Sequence, residues 1–320
     1  MRRSILAAVL GLLSASRAFS QEVPAADHHQ HLFSPDLVDV VSRTEPVSQF
    51  PPITAKDLIG HLDAAGIKRA VVLSTAYIFS QPSRKVENDY ERVKADNDWT
   101  SAQVAQYPDR LIGFCGLNPL REYALTELAR CAKDPYLRRG LKLHFGNSGV
   151  DYHNRQHIAQ LQRVFRAANG YGMAIVVHMR ASVSLKMAYG REEAQIFLNE
   201  LVPAAPDVPI QIAHLAGAGG YLDPAVDQAL SVFEDAIARQ DPRARRLWFD
   251  VTTVAIPDAA TEEMVRIATR IRQLGVQRVL YGSDAASGTP PREAWAEFKK
   301  VPLTPAEFQT IASNVAPYFQ

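Results

Sequence analysis

A single (β/α)₈ barrel of parallel strands, an α/β fold, is what this 320-residue chain predicts, on three observations. Short apolar runs alternate with amphipathic stretches from residue 25 onward, the pattern of a parallel sheet crossed by helices. The runs number eight, and Val71-Val72-Leu73 and Ile175-Val176-Val177 are apolar on both faces, as strands between a barrel filling and a helix ring must be. A doubly wound open sheet is the alternative, and the lack of a glycine-rich phosphate loop after the first run weakens its nucleotide-binding version.

In order, the predicted strands span residues 26–32, 69–74, 111–117, 140–145, 174–179, 209–215, 247–252 and 278–283. Predicted helices at 54–65, 86–106, 123–132, 155–169, 192–201, 224–238 and 261–274 separate them. Thr54 opens the first helix with Asp57 in its first turn, and Thr304-Pro305-Ala306-Glu307 is a capping box with proline at the first helical position. That box starts a segment, 305–319, expected to be a helix closing the barrel base. The irregular stretches 33–53 and 78–85 directly follow strands, so in a barrel they rim the catalytic face and are candidate lids.

The first residues read as a secretory signal: Met1-Arg2-Arg3-Ser4, an apolar run at 5–13, then small residues ending at Ser20. The expected cut is after Ser20, with Ala18 as the near alternative, leaving one domain at 21–320 in the periplasm or secreted. The apolar run falls well short of the roughly 20 residues an anchor needs. The paired arginines raise a twin-arginine signal, but without a longer polar lead, ordinary export is preferred. Lys plus Arg at 35 nearly balance Asp plus Glu at 34, so no field drawing nucleic acid or an anionic membrane is expected. A small-molecule substrate is expected, and a homo-oligomer stays open. Cys115 lies in a predicted strand and Cys131 in a predicted helix; both are read as buried free thiols, with a bridge as the lesser alternative.

Chemistry collects where polar residues interrupt the strands. Asp27-His28-His29-Gln30-His31 ends the first strand, and alternation puts His29 and His31 on one side, a chelating pair, with Asp27 on that same side and His28 and Gln30 opposite. His178 ends the fifth strand, His214 the sixth and Asp284 the eighth. A closed parallel barrel points these ends into one cavity, where three or more imidazoles and a carboxylate give the N and O donors that suit a divalent ion. Lys142 and His144 share a side of the fourth strand, and Arg180 follows His178 by two residues. All three are candidate anchors for an anionic substrate, against plain ion pairing; a carbamylated Lys142 bridging a second metal is the remaining alternative.

With these elements in this order, Asp27-His28-His29-Gln30-His31-Leu32, Gly140-Leu141-Lys142-Leu143-His144, His178, Ile212-Ala213-His214-Leu215-Ala216-Gly217 and Leu280-Tyr281-Gly282-Ser283-Asp284, the chain resembles the amidohydrolase superfamily. The resemblance is to its amidohydrolase-related branch (amidohydrolase 2) and covers nearly everything after the leader. It implies a metal, commonly zinc and one ion, at His29, His31, His178 and Asp284, with His214 beside it. Zinc lowers the pKa of bound water to roughly 7 and polarises carbonyls, so hydrolysis of a lactone, ester or amide is the expected reaction, with Asp284 carrying the proton and His214 orienting water or stabilising the oxyanion. The same branch includes metal-dependent decarboxylases, the main alternative; a noncatalytic exported binding protein is the lesser one.

Overall fold

The computed structural model describes residues 23–44 and 50–320. Eight strands follow one another around a single parallel sheet: β1 (Asp27–Gln30), β2 (Ala70–Leu73), β3 (Leu111–Gly116), β4 (Gly140–His144), β5 (Ala174–His178), β6 (Ile210–Ile212), β7 (Leu247–Asp250) and β8 (Val279–Leu280). Each pairs in parallel with the next. His28 N donates to Tyr281 O at 2.9 Å and Asp284 N to His29 O at 2.9 Å, so the residues after β8 bond back to β1 and the barrel closes.

The helices in chain order are α1 (Pro35–Thr44), α2 (Ala55–Ala65), α3 (Asp89–Val104), α4 (Ala124–Cys131), α5 (Phe145–Ser148), α6 (Arg155–Gly170), α7 (Arg191–Ile196), α8 (Pro224–Ala238), α9 (Thr261–Leu274), α10 (Pro291–Phe298) and α11 (Pro305–Ser313). Both expected caps form: Thr54 and Asp57 bond reciprocally at α2, and Thr304 and Glu307 do so at α11. Three differences from the sequence reading have local causes. Residues 35–44, inside a stretch expected to be irregular, form α1, whose buried Leu37, Val40 and Val41 make one apolar face. The predicted helix at 192–201 continues past α7 only as a π-turn, Phe197–Leu201. The closing helix stops at Ser313, and the base is sealed by a separate turn, Pro317–Phe319, because Pro317 cannot continue a hydrogen-bonded helix.

Two cores sit on either side of the strands. Outside, helix faces pack on one set of strand residues; inside, Ala26, Val71, Leu73, Phe114, Ala174, Val176 and Leu280 fill the lower lumen together with Ala316, Tyr318 and Phe319. The Phe114 ring needs the space at Gly140, where a Cβ would lie 2.1 Å from it. Cys115 faces outward from β3 to the last turn of α4, where it is bonded to Cys131, so the two expected free thiols are instead a disulfide. The leader lies outside the described residues. Among those described, no helix is long and apolar enough to cross a membrane.

Candidate active site

Strand ends at one mouth of the barrel line a cavity of about 380 Å³. His29 and His31 enter from β1, Lys142 and His144 from β4, His178 from β5, His214 after β6 and Asp284 after β8. Of the candidate anchors singled out from sequence, Arg180 is absent from the lining: its guanidinium bonds Asp223 at 2.8 Å and lies 4.5 Å above the Tyr189 ring. Alternation fails there because β5 ends at His178, two residues earlier. Phe33 and Ile78, from the two stretches read as lids, form an apolar part of the wall together with Tyr77.

Asp27 departs from the alternation rule as well. Three steps along β1, from Asp27 to Gln30, are matched by two along β2, from Ala70 to Val72, the mark of a bulge. The Asp27 carboxylate therefore turns from the cavity to accept from Gln30 Nε2 at 2.7 Å and Ser283 Oγ at 2.7 Å. Burial raises it to about 6, against the lowering effect of those bonds. His28 points to the barrel base, with Nδ1 donating to Tyr281 O and Nε2 accepting from Ala316 N.

Hydrogen bonding sorts the cavity imidazoles. A carbonyl or carboxylate only accepts, so a ring nitrogen facing one carries the proton. His29 Nδ1 donates to Asp250 Oδ2 at 3.1 Å, His31 Nδ1 to Leu73 O at 2.6 Å and His214 Nδ1 to Thr252 O at 2.9 Å. Each of the three is left with its lone pair on Nε2, the arrangement typical of metal-binding histidines. His144 is the reverse: its Nδ1 accepts from the backbone of Asn147 at 3.1 Å, so its proton is on Nε2 and it offers a donor. Its ring stacks on His178, centroids 3.9 Å apart. Ligand atoms of His29, His31 and Asp284 lie within 4.8 Å of one another.

Backbone strain aims two of these groups. β6 stops at Ile212 rather than running to residue 215, and His214, Leu215 and Ala216 all take positive φ, at 54°, 47° and 67°. Such a left-handed turn costs L-residues roughly 1–2 kcal/mol each. It is held by His214 N donating to Asp250 Oδ1 at 2.9 Å, and by the Tyr189 hydroxyl on Ala216 O. Asp284 is likewise left-handed, at φ 50°. Strain of this kind collects at functional sites.

Asp250, which ends β7, went unremarked in the sequence although it interrupts Leu247-Trp248-Phe249 in the way His178 interrupts β5. Burial alone would raise its carboxyl, but the His29 imidazole and hydrogen bonds from His29 and His214 hold it far below the usual range. It is therefore an ionised, fully buried acceptor. Lys142 Nζ sits 3.2 Å from His29 Nε2; burial pushes it down to about 8, with Asp250 and Asp284 opposing. Burial, then the Lys142 charge, lowers His29 and His31 to about 3, so both are neutral across the physiological range.

The family model for amidohydrolases matches residues 26–314. No functionally curated protein matches the chain. Among solved structures, 5-carboxyvanillate decarboxylase from Sphingomonas paucimobilis superposes with a TM-score of 0.62 at 14% identity, over 91% of this chain and 96% of that one. A dihydroxybenzoic acid decarboxylase from Polaromonas sp. JS666, with bound manganese and 2-nitroresorcinol, gives 0.60 at 16%, over 91% and 95%. A probable 2-pyrone-4,6-dicarboxylic acid hydrolase from Acinetobacter baumannii gives 0.55 at 18%, over 90% and 96%. At these identities the likeness establishes the shared barrel.

Proposed function

The chain belongs to the amidohydrolase family, and on that premise we propose that it is a metal-dependent decarboxylase of small, oxygen-rich carboxylic acids. The carrying observation is the polarity of the cavity. Among the described residues, Asp284 is the sole carboxylate lining it, against the Lys142 ammonium and the His144 Nε2 donor. A wall with that balance suits an anionic substrate, whereas a neutral lactone, ester or amide has no need of it. Two of the three similar structures named above are decarboxylases of aromatic acids, in line with this reading. It thus departs from the hydrolysis expected from sequence.

The donor set fits a divalent cation: Nε2 lone pairs on His29 and His31 and a carboxylate on Asp284 converge, and His178 lines the same cavity with its ring centroid 4.9 Å from that of His214. Imidazole and carboxylate donors suit zinc and manganese alike, and we assign one ion. When bound, it supplies Lewis acidity toward substrate oxygens. The chain's own groups do the rest. Lys142 offsets the substrate's charge, and His144 donates from Nε2 to one of its oxygens. As the carbon–carbon bond breaks and carbon dioxide leaves, the electron pair stays on the substrate carbon, which takes up a proton. Asp284 is assigned to relay that proton, taking it from a hydroxyl of the substrate and returning it to the carbon, and His214 to orient the substrate opposite it. Phe33, Tyr77 and Ile78 shield the reacting face from water.

Hydrolysis is the second reading, favoured by Asp284 and His214 lining one cavity, a carboxylate and an imidazole able to pass protons to and from water. To separate the two, the metal-loaded chain is offered hydroxylated aromatic and enol acids beside lactones, esters and amides. Carbon dioxide release that stops on chelation is the expected result. Turnover confined to the lactone, ester or amide panel, without carbon dioxide, would move the assignment to hydrolase. Export is part of the proposal, and the Cys115–Cys131 disulfide supports it, since such bonds persist in oxidising compartments.

A further inference from the structure

Asp250 does not line the cavity, yet it accepts four hydrogen bonds at once. Its Oδ2 receives Gln211 Nε2 at 2.7 Å and His29 Nδ1 at 3.1 Å; its Oδ1 receives the backbone of His214 at 2.9 Å and of Thr252 at 3.2 Å. Gln211, fully buried on β6, is oriented in turn from below. The Tyr318 hydroxyl donates to its Oε1, and its Nε2 also reaches His28 O at 3.2 Å. Tyr318 belongs to the turn that plugs the barrel base, where its ring packs on Phe114 at 5.1 Å and beside His28 at 6.3 Å.

We propose that Tyr318, in the turn that plugs the barrel base, is a positioning residue for the candidate metal ligands at the opposite mouth of the barrel, acting through the relay Tyr318–Gln211–Asp250–His29. The logic is one of donor and acceptor order. An amide has one accepting end and one donating end. With the Tyr318 hydroxyl on Oε1, the amide can turn only its NH₂ toward Asp250. Asp250 then accepts on both oxygens, and this fixes two things: the His29 proton stays on Nδ1, leaving the Nε2 lone pair to the cavity, and His214 stays in its left-handed turn. Without the hydroxyl, Gln211 Oε1 is a buried acceptor with no donor. Such a group costs about 1–3 kcal/mol, and rotation cannot relieve it, because the NH₂ side faces only the acceptors Asp250 Oδ2 and His28 O; the amide is left less firmly held, and with it Asp250. The relay rests on the reading of His29 as a ligand only for its effect on metal binding; its effect on the His29 imidazole is independent of that reading.

The test uses the whole mature chain, metal-free, as wild type, Tyr318→Phe and the plug variant Phe319→Leu. Phe at 318 keeps the ring packing and removes only the hydroxyl; Leu at 319 perturbs the plug and leaves the relay intact. Two readouts are taken beside thermal unfolding: titration with Zn²⁺ or Mn²⁺ alone, and nitrogen-15 signals of the histidine rings. Tyr318→Phe is expected to weaken metal affinity about tenfold, as loss of a partner behind a ligand commonly does. It should also shift the His29 ring nitrogens, whereas Phe319→Leu lowers the unfolding temperature and moves neither readout. Unchanged His29 signals in Tyr318→Phe would overturn the relay, as would unchanged affinity in a wild type that binds metal. A wild type that binds neither metal would overturn the ligand reading instead, and the ring signals alone would then decide the relay.

Discussion

The two mouths of this barrel are built on opposite terms. At the base, Ala316, Tyr318 and Phe319 close the lumen with apolar contact, the Arg69 guanidinium covers the Phe319 ring at 4.9 Å, and both His28 nitrogens are satisfied. At the other mouth, the imidazoles of His29, His31 and His214 keep unshared pairs facing a cavity, and the backbone at His214, Leu215, Ala216 and Asp284 is held left-handed. Packing is optimised at one end and sacrificed for reactive groups at the other. A buried carboxylate, Asp250, joins them. The difference implies that substitutions in the apolar plug at the base should be read in stability and substitutions at the mouth in chemistry, with the Tyr318 hydroxyl, the start of the relay to Asp250, as the exception.

The largest effect is expected at the mouth. Asp284→Asn should lower kcat/KM by about 10³-fold, within the range for losing a positioned acid–base group, and His178→Ala, at a candidate metal ligand, should lower metal affinity and kcat/KM together. Unfolding temperatures should stay near wild type, because neither side chain belongs to the apolar cores. Near-normal turnover by both variants would remove them from the site. At the base, Phe319→Ala should cost about 3 kcal/mol of stability, the usual scale for emptying an aromatic position, as checked by denaturant unfolding. If Phe319→Ala impaired turnover without loss of stability, the division between the two mouths would be wrong.

The fold was legible because it rests on patterning, which sequence carries directly: each of the eight strands falls within its predicted run, and the helix starts at Thr54 and Thr304 are capped as their residues suggest. The convergence of His29, His31, Lys142, His144, His178, His214 and Asp284 was legible for a related reason, since a parallel barrel gathers its strand ends. What failed did so where the regular pattern ends. Arg180 lies past the end of β5, and Asp27 is turned by a bulge that no composition announces. The disulfide depends on a strand face meeting one helix turn across 16 residues of chain, a tertiary fact. Asp250 was readable in principle, as a charge ending an apolar strand, but its partners come from β1, from β6 and its following turn, and only the folded barrel brings them together.

The smallest predicted effect separates roles within the mouth itself. His144 and His178 stack closely and look alike in sequence, yet the Asn147 backbone makes His144 a donor rather than a lone-pair ligand. His144→Phe keeps a flat ring against His178 and removes the donor, so metal content should be unchanged. KM should rise about tenfold, near 1.4 kcal/mol, the scale of one hydrogen bond to a charged group. His144→Gln, whose side-chain amide returns an N–H, should recover part of that loss. If metal content fell in His144→Phe, His144 would be a ligand, and the division of the imidazoles by proton position would have to be redrawn.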